Sequence, residues 1–484
     1  MLFSGAKTVY RKPLNIVVTL ITAKKTAAGR ISHILRATLA ILLSIFTVLV
    51  PEAARAASKA EIDTLIAHIP ESFPAAPDIA SESAILAEIN SGTILYAKHA
   101  TRSMYPASTT KLLTAYLALT RCDLTDVVEY SRKAITSLEP GSSHIGLKTG
   151  DRLSVEDSLY GLLLPSANEV ANGLAEKISG SIPAFADLMN ETALDLGCVN
   201  TNFINANGLH DPNHMTCAYD LYRIMLADIK LEDFIRISSR IAYVKEPDEI
   251  NPNSIPMGTT NQFLKKDSEF YNPYVISGKT GWTAQAGRCL VTYAAKDGMD
   301  LICVVMNSEV PNQYLDTQKL FDYAWDHFKA IRPSDLSDSS LTGKSLSGSP
   351  LSLPEVTVSV SALDDSSRII LPDTVSPSDL TRKTQEDTEG NRTVIYRLEG
   401  YPLGSAAFVD GDSGNVYGLW NKNSSSAPLL DSITVTDLHP VSVWFLGISV
   451  VFLLLLCLAS YLLYKVLTAP KEPPVYDDHQ FKFF

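Results

Sequence analysis

Apolar residues recur at the spacing of an α-helix in several parts of the chain, most clearly after Pro106. The segment Tyr105-Pro106-Ala107-Ser108-Thr109-Thr110-Lys111 leads into the apolar positions Leu112, Leu113, Tyr116, Leu117 and Leu119. Because proline fits the start of a helix and these positions fall near a helical period, the pattern predicts a buried helix. Ser108 then lies in its first turn, three residues before Lys111.

Strand-like runs occur both before this helix and far beyond it. Ala84–Ile89 and Thr93–Lys98 flank the turn Asn90-Ser91-Gly92, which predicts a β-hairpin. A meander is predicted later in the chain, over Tyr274–Thr283, Arg288–Ala295 and Leu301–Asn307, with a helix over Leu315–Phe328 after it.

Helical patterns fill the interval between these two sets of strands. Ser154 and Asp157 have the spacing of a capping box that begins a helix. Further helices are predicted over Ala171–Ile178, Pro183–Leu196 and Ala218–Leu226. Strands at both ends with helices between them predict an α/β domain of the α+β kind, residues 58–332, in which helices cover one sheet assembled from distant segments.

The pattern changes after this domain. Residues 333–352 are predicted to form a linker, since 334–352 contain eight serines. Short strands are predicted in residues 353–436, namely Val356–Val360, Arg368–Leu371, Thr393–Leu398, Ala406–Val409 and Val416–Trp420. This small β-rich domain has no cluster of reactive side chains, and we interpret it as a spacer or docking module.

Both ends of the chain carry uncharged apolar runs. Residues 1–57 combine basic residues, the run Ala37–Val50 and an alanine-rich site, which is typical of a secretory signal peptide. An uncleaved N-terminal anchor is the alternative. The run Val441–Tyr464 would span about 36 Å as a helix, enough to cross a bilayer.

Basic residues set the expected orientation of this transmembrane helix. Lys465, Lys471 and Lys482 follow it, so residues 465–484 are predicted to form a cytoplasmic tail. We therefore expect a single-pass protein of the cell membrane, anchored through its C-terminal helix, with residues 58–440 outside the cytoplasm.

Charge and cysteine content narrow the partners. The net charge is -12 and the pI is about 5.3, which argues against nucleic acid. Cys289 and Cys303 lie in strand-like runs, where buried free thiols are expected. No Cys-x-x-Cys spacing suggests zinc, and we expect neither a metal nor another cofactor.

Ser108 and Lys111 form the first pair with chemical potential. Residues three apart on a helix lie on one face, with Cβ atoms about 5 to 6 Å apart. A serine hydroxyl becomes a nucleophile when a neighbouring base takes its proton, and a desolvated, neutral lysine can be that base. Ser-x-x-Lys also occurs by chance, as at Ser4 and Lys7, so the pair alone leaves a structural role open.

Two further polar elements accompany this pair. Ser166-Ala167-Asn168 follows a proline-interrupted apolar run and fits either a reactive site or a helix-capping pair. The predicted strand Tyr274–Thr283 contains Lys279-Thr280-Gly281, and glycines in strands mark places where another backbone comes close. A peptide substrate could pair with this strand by β-addition.

The ordered set Ser108-x-x-Lys111, Ser166-Ala167-Asn168 and Lys279-Thr280-Gly281 resembles the serine acyl-transferases that include penicillin-binding proteins and class A β-lactamases. The surrounding residues are most similar to the D-alanyl-D-alanine carboxypeptidases. Matching stretches are Tyr105–Lys111, Leu147–Asp151, Asn207–Leu209, His214–Thr216 and Lys279–Thr283 with Ala286-Gly287. The resemblance covers about residues 80 to 330.

The resemblance implies a three-layer domain with a five-stranded antiparallel sheet. It implies a peptidoglycan stem peptide ending in D-Ala-D-Ala as substrate and β-lactams as covalent inhibitors. Ser108 would attack the peptide, Lys111 would accept its proton, and Ser166 would protonate the leaving D-Ala. Asn168 would orient Lys111, and Lys279 would lower the pKa of its neighbours.

The substrate-binding residues implied or suggested are Lys279, Thr280, Gly281, Thr283 and Arg288. Many relatives place an arginine after the last strand to hold the substrate carboxylate, but 307–314 contain none. Arg288, on the neighbouring strand, is our candidate substitute. Trp282 either narrows the cleft or covers the sheet edge.

Other activities fit the same residues. A β-lactamase needs a carboxylate for deacylation, and Glu191 is a partial match. A D,D-endopeptidase or a transpeptidase would use the same site on a cross-linked peptide or with an amine acceptor. The remaining alternative is a cell-wall-binding scaffold without catalysis.

Overall fold

The computed structural model describes residues 58–336, 362–387 and 390–409, all of which belong to one compact unit. The strands are β1 (Ser83–Glu88), β2 (Thr93–Lys98), β3 (Val127–Glu129), β4 (Arg152–Ser154), β5 (Ala242–Lys245), β6 (Ile255–Gly258), β7 (Val275–Thr283), β8 (Gly287–Lys296), β9 (Met299–Ser308), β10 (Phe328–Ile331), β11 (Ala362–Leu363), β12 (Ile369–Pro372), β13 (Thr381–Glu386), β14 (Arg392–Leu398) and β15 (Tyr401–Val409).

Helices occupy most of the interval between β2 and β7. They are α1 (Lys111–Arg121), α2 (Arg132–Thr136), α3 (Val155–Leu163), α4 (Asn168–Ser179), α5 (Ile182–Asp195), α6 (Ala218–Asp228) and α7 (Glu232–Ser238), with α8 (Asn312–His327) after β9. Residues 58–67 are also helical.

The main sheet confirms the predicted assembly from distant segments. Its order is β2-β1-β9-β8-β7, and all neighbouring strands are antiparallel. The hairpin β1-β2 pairs with β9 of the late meander, which closes the sheet across more than two hundred residues of intervening chain. Strand β7, which carries Lys279, therefore lies at an edge, as a strand that receives a peptide must.

Alternate side chains of the sheet enter two different cores, which gives the three layers. Ile85 and Ala87 of β1 belong to the core that contains α1. Ala84 and Leu86, which point the other way, belong to the core that contains α8. This separation follows from the two-residue period of a strand. The helical layer around α1 carries Ser108 and Lys111 against the sheet.

Local signals account for several helix ends. The Ser154 side chain accepts a hydrogen bond from the Asp157 backbone N–H and begins α3, which is one half of the predicted capping box. The Asp157 carboxylate accepts from the Ser154 hydroxyl, whereas a full capping box would have it accept from the Ser154 backbone N–H. The Ser131 and Ser181 side chains likewise accept from a backbone N–H and cap α2 and α5. The sequence reading missed the short pairs β3-β4 and β5-β6, as well as α7.

The β-rich module is joined to the main domain by strand pairing. β12 pairs with β10 at the end of the main domain, while β11, β15, β14 and β13 form a separate four-stranded sheet. The Tyr401 hydroxyl donates to the Ile94 carbonyl oxygen at 2.9 Å, and Leu403 and Phe328 share the core that contains α8. The module is thus packed onto the main domain.

Residues 333–336, which were assigned to the linker, form a 3₁₀ turn whose Leu336 is buried. The strands Thr393–Leu398 and Ala406–Val409 match β14 and part of β15, whereas β13 was missed. The predicted strands Val356–Val360 and Val416–Trp420 lie outside the described residues.

The predicted signal peptide, transmembrane helix 441–464 and cytoplasmic tail also lie outside the described residues. Among the residues that are described, no helix combines the length and the apolar composition needed to span a membrane.

Candidate active site

Ser108 lies in a 3₁₀ turn, Ala107–Thr110, that runs directly into α1. The sequence predicted that Ser108 lies in the first turn of the α-helix, whereas the structure places it in this tighter turn just before the helix. Side chains at positions i and i+3 of a 3₁₀ turn eclipse one another, so Ser108 is held over Lys111. Ser108 is half-buried, whereas Lys111 is fully buried. The hydroxyl is thus accessible while the amine is shielded from water.

Lys111 has three hydrogen-bond partners. Its Nζ lies 3.0 Å from Ser108 Oγ, 2.6 Å from Asn168 Oδ1 and 2.6 Å from the Asn207 carbonyl oxygen. The two carbonyl oxygens can only accept, and a neutral amine has two N–H bonds and one lone pair. If these oxygens take both N–H bonds, the lone pair faces Ser108. This geometry suits an amine that accepts the serine proton.

Electrostatics favours the neutral amine. Burial and the neighbouring Lys279 lower the pKa of Lys111 well below that of an ordinary lysine, while the Glu169 carboxylate opposes them. Glu169 is itself buried, and its Oε1 accepts a hydrogen bond from the Ile145 backbone N–H at 2.7 Å. The dominant cause is desolvation, which penalises the ammonium form.

Ser166 and Lys279 form the second half of the cluster. Lys279 Nζ donates to Ser166 Oγ and to the Thr280 carbonyl oxygen, both at 2.9 Å. Burial lowers the pKa of Lys279 to about 7. Ser166 has a positive φ of 66°, which is unusual for serine and turns its hydroxyl toward β7 through a bend rather than a helix.

The helix-capping interpretation of Ser166 and Asn168 is wrong. The residue at the N-cap of α4 is Ala167, and no side chain makes a capping hydrogen bond there. Both side chains instead face lysines of the cluster, since Ser166 contacts Lys279 and Asn168 contacts Lys111. The three motif elements, far apart in sequence, thus meet at one place.

Gly281 explains how β7 reaches the serine turn. A Cβ atom at Gly281 would lie 3.0 Å from the Pro106 carbonyl oxygen and 3.1 Å from the backbone nitrogens of Ser108 and Thr109. Such contacts are tighter than most Cβ atoms make, so glycine lets the strand pass beside the turn without a shift of either backbone. The Ser108 N–H therefore lies next to the edge strand, where a carbonyl of a strand-paired peptide would arrive.

A buried polar relay supports the serine turn, and the sequence reading gave its members no role. The Ile204 N–H donates to His214 Nδ1 at 2.9 Å, and His214 Nε2 lies 2.8 Å from Thr110 Oγ1. The Thr110 hydroxyl donates to the Ala107 carbonyl oxygen at 2.9 Å. Burial lowers the pKa of His214 to about 3, so the ring is neutral and donates from Nε2.

Asn207 and Gly208 complete the support. The Asn207 carbonyl oxygen accepts from Lys111, and its side-chain amide donates to Asn172 Oδ1 at 3.0 Å. Gly208 has a φ of +84°, and a Cβ there would lie 1.8 Å from the Ala107 carbonyl oxygen. No other residue fits. In the sequence, Asn207 and Gly208 stand out only through the family resemblance, because a contact through a backbone carbonyl gives no periodic pattern.

The side chains of the remaining substrate-binding candidates lie outside the hydrogen-bonded cluster, although the Thr280 carbonyl oxygen belongs to it. The Thr280 and Thr260 hydroxyls lie 2.6 Å apart, and Thr283 Oγ1 accepts from the Ala286 N–H. Arg288 pairs with Trp282 across β7 and β8, with its guanidinium 5.2 Å from the centre of the Trp282 ring. This pair shares the strand face of Thr280 and not that of Lys279. Trp282 is 57% exposed.

Glu191, the carboxylate considered for deacylation, is exposed on α5. The cluster of Lys111, Asn168 and Lys279 is buried. No hydrogen bond or ion pair joins Glu191 to this cluster among the described residues, so the site geometry gives the β-lactamase alternative no support. Cys289 and Cys303 are buried free thiols in β8 and β9, as predicted.

Comparisons with known proteins agree with this geometry. Residues 71–310 match the family model described as D-alanyl-D-alanine carboxypeptidase. The chain is 31% identical over 256 residues to the D-alanyl-D-alanine carboxypeptidase DacF of Bacillus subtilis (strain 168), covering 51% of this chain and 63% of DacF. It is 30% identical over 286 residues to DacA of Escherichia coli (strain K12), covering 57% and 68%.

Solved structures give the same picture. Penicillin binding protein 5 from Haemophilus influenzae is similar with a TM-score of 0.55 and 27% identity, covering 70% of this chain and 98% of that one. Penicillin binding protein 6B from Escherichia coli has a TM-score of 0.53 and 26% identity, covering 71% and 98%. The match to DacF spans a little less than two thirds of that relative's length.

Proposed function

Because the chain belongs to the D-alanyl-D-alanine carboxypeptidase family, we propose that it is a serine-type D-Ala-D-Ala carboxypeptidase. It removes the terminal D-Ala from peptidoglycan stem pentapeptides through an acyl-enzyme, and β-lactams acylate the same serine. The observation that carries this proposal is the contact of a buried Lys111 amine, held by two carbonyl oxygens, with Ser108 Oγ at 3.0 Å.

Acylation begins when Ser108 Oγ attacks the carbonyl carbon of the penultimate D-Ala. Its proton passes to Lys111 Nζ, whose lone pair faces the hydroxyl. The negative charge that develops on the carbonyl oxygen is held by the Ser108 N–H, at the amino end of the turn and helix, and by an N–H of β7. The close approach of Gly281 to Ser108 supports this arrangement.

The C–N bond to the terminal D-Ala then breaks. The leaving nitrogen takes a proton from Ser166, whose hydroxyl accepts a hydrogen bond from Lys279. The proton that Lys111 took from Ser108 is returned to the Ser166 oxygen, so both groups regain their starting states. In the second half-reaction a water molecule attacks the ester and gives a proton to Lys111, which passes it to Ser108 Oγ as the ester C–O bond breaks. Lys279, Thr280, Thr283 and Arg288 bind the substrate, with the carboxylate of D-Ala near Thr280 and Arg288.

The location of the reaction is part of the proposal. Residues 1–57 direct export, and residues 441–464 anchor the chain in the cell membrane with 465–484 in the cytoplasm. The catalytic domain then faces the wall, where its substrate lies. The packed β-rich module would set its distance from the membrane.

Release of free D-Ala tests the proposal directly. The full-length chain is incubated with a pentapeptide ending in D-Ala-D-Ala, and free D-Ala is measured against Ser108→Ala. We expect release from the wild type only. Covalent labelling by a fluorescent penicillin without any D-Ala release would favour a transpeptidase or endopeptidase, while the absence of both would favour a non-catalytic scaffold.

A further inference from the structure

We propose that a cavity between α8 and the 263–274 segment binds an uncharged, N-acetylated sugar chain. The cavity has a volume of about 510 Å³ and lies among the residues that pack on the α8 side of the sheet. Lys111 and its helix lie on the other side. The cavity is therefore separate from the cluster around Ser108.

Aromatic rings from both elements line the cavity. Tyr271 and Tyr274 are 38% and 41% exposed, so part of each ring is accessible to a ligand. Phe270 stacks on Tyr314 with ring centres 5.0 Å apart, and the Tyr274 ring meets Trp325 edge-on at 5.5 Å. Rigid rings fixed by such contacts present flat apolar surface at little cost in conformational entropy.

Polar side chains from the same two elements also line the cavity. Asn272 Nδ2 donates to Gln318 Oε1 at 2.9 Å, and Gln318 Nε2 donates to Asp322 Oδ1 at 2.7 Å. These bonds orient the side chain of Asn272, in the 263–274 segment, and those of Gln318 and Asp322 on α8. The second Asp322 oxygen has no hydrogen-bond partner within the described ranges, so it is open to a donor from a ligand. Glu269 adds another carboxylate at the rim.

Lys296 covers two of the aromatic rings of the cavity. Its Nζ lies 5.0 Å from the centre of the Tyr274 ring and 5.1 Å from that of Trp325. The Trp325 Nε1–H is buried and has no hydrogen-bond partner among the described residues. An unpaired buried donor is costly. Movement of the flexible Lys296 side chain would uncover the rings and let a ligand oxygen reach this N–H.

A sugar fits this combination better than other ligands. A sugar ring has an apolar C–H face and a polar edge of hydroxyl and amide groups, which matches a cavity lined by both aromatic rings and carboxylate and amide groups. Phosphate groups would be repelled by Asp322 and Glu269, and a lipid chain would leave the polar side chains of the cavity unpaired. A cation would compete with Lys296 for the same ring faces.

The position of the cavity relates it to the peptide site. Tyr314, which lines the cavity, donates to the Thr260 carbonyl oxygen at 3.5 Å, and the Thr260 hydroxyl contacts that of Thr280. From Tyr274 to Thr280 the edge strand spans about 20 Å. This part of the inference rests on the proposed function. The cavity would bind the glycan strand of the cell wall while a stem peptide of that strand enters the Ser108 cleft.

Binding of a tetramer of β-1,4-linked N-acetylglucosamine to the full-length chain tests this inference by titration calorimetry. We expect Tyr274→Ala and Asp322→Ala to weaken binding at least fivefold. Asp326→Ala is the matched control, because Asp326 is exposed one turn further along α8 and does not line the cavity. It should bind as the wild type does, and all three variants should release D-Ala from the free pentapeptide at the wild-type rate.

Two results would overturn the inference: no binding by the wild type, or equal binding by Tyr274→Ala, Asp322→Ala and the wild type. Tighter binding of a fatty acid than of the tetramer would also overturn it. These outcomes are independent of the proposed function, since the free pentapeptide contains no sugar. If the wild type releases no D-Ala from the free pentapeptide, the proposed carboxypeptidase activity is refuted. The sugar titration can still be interpreted in that case.

Discussion

Replacing Asn168 with aspartate places a negative charge directly against the Lys111 amine. In the wild type Asn168 Oδ1 lies 2.6 Å from Lys111 Nζ, and both side chains are buried. Aspartate has nearly the same shape as asparagine, so packing changes little while the charge changes by one unit. The substitution therefore tests the protonation state of Lys111 rather than its position.

The expected size of the effect follows from this contact. An opposite charge within about 4 to 6 Å shifts a pKa by about 1 to 3 units, and the contact here is closer. Such a shift favours the ammonium by about 1.4 to 4 kcal/mol. Burial and Lys279 lower the pKa of Lys111 in the wild type, so the neutral base is present above that lowered value and lost as the pH falls through it. Asn168→Asp raises the pKa and moves this loss to higher pH.

The rate of acylation by a fluorescent penicillin, measured from about pH 5 to about pH 10, reports this shift. Below the midpoint of the wild-type profile we expect Asn168→Asp to react about 10 to 1000 times more slowly than the wild type and to recover as the pH rises. Asn213→Asp, which adds the same charge at an exposed loop position, should leave the profile unchanged. An Asn168→Asp profile with the wild-type midpoint would refute the role of Lys111 as base.

Three other predictions follow from the same structure. Gly281→Ala should slow acylation by a penicillin about tenfold, because the added Cβ would lie 3.0 to 3.1 Å from backbone atoms of the Ser108 turn. Gly258→Ala is the control, since its Cβ would meet nothing within 4 Å. Equal acylation rates for the two variants would contradict this reasoning. His214 stabilises the fold as a neutral ring above its unfolded pKa of 6.5, and this stability is lost toward its folded pKa of about 3. Between pH 7 and pH 4 the wild type should therefore lose roughly 3 kcal/mol more than His214→Gln in urea denaturation, and equal losses would refute the assignment. Arg288→Ala should raise KM for a D-Ala-D-Ala peptide about tenfold, and unchanged kinetics would exclude Arg288 from carboxylate binding.

The sequence predicted the main sheet well because its strands carry clear local signals. The hairpin β1-β2 has a turn between two apolar runs, and β7 to β9 form a meander of the same kind. Strands β3 to β6 were missed because each has only three or four residues, too few for a period to emerge. The pairing of β12 with β10 was missed because it joins segments on either side of a serine-rich stretch.

Some residues of the candidate site could likewise be predicted from the sequence, and others could not. Ser108, Lys111, Ser166 and Lys279 were identified because the chemistry depends on their side chains at fixed spacings. The supporting roles of Asn207 and His214 were not, since the first contacts Lys111 through a backbone carbonyl and the second is a buried polar bridge. Neither kind of contact has a sequence signature without the fold.

Mapping the attachment site of a β-lactam tests the central claim most directly. The full-length chain is labelled with a penicillin, digested, and analysed by mass spectrometry. If Ser108 is the nucleophile activated by Lys111, a single adduct will be found on the peptide containing Ser108, and Ser108→Ala will carry none. An adduct on Ser166 or elsewhere, or no adduct on the folded wild type, would contradict the account.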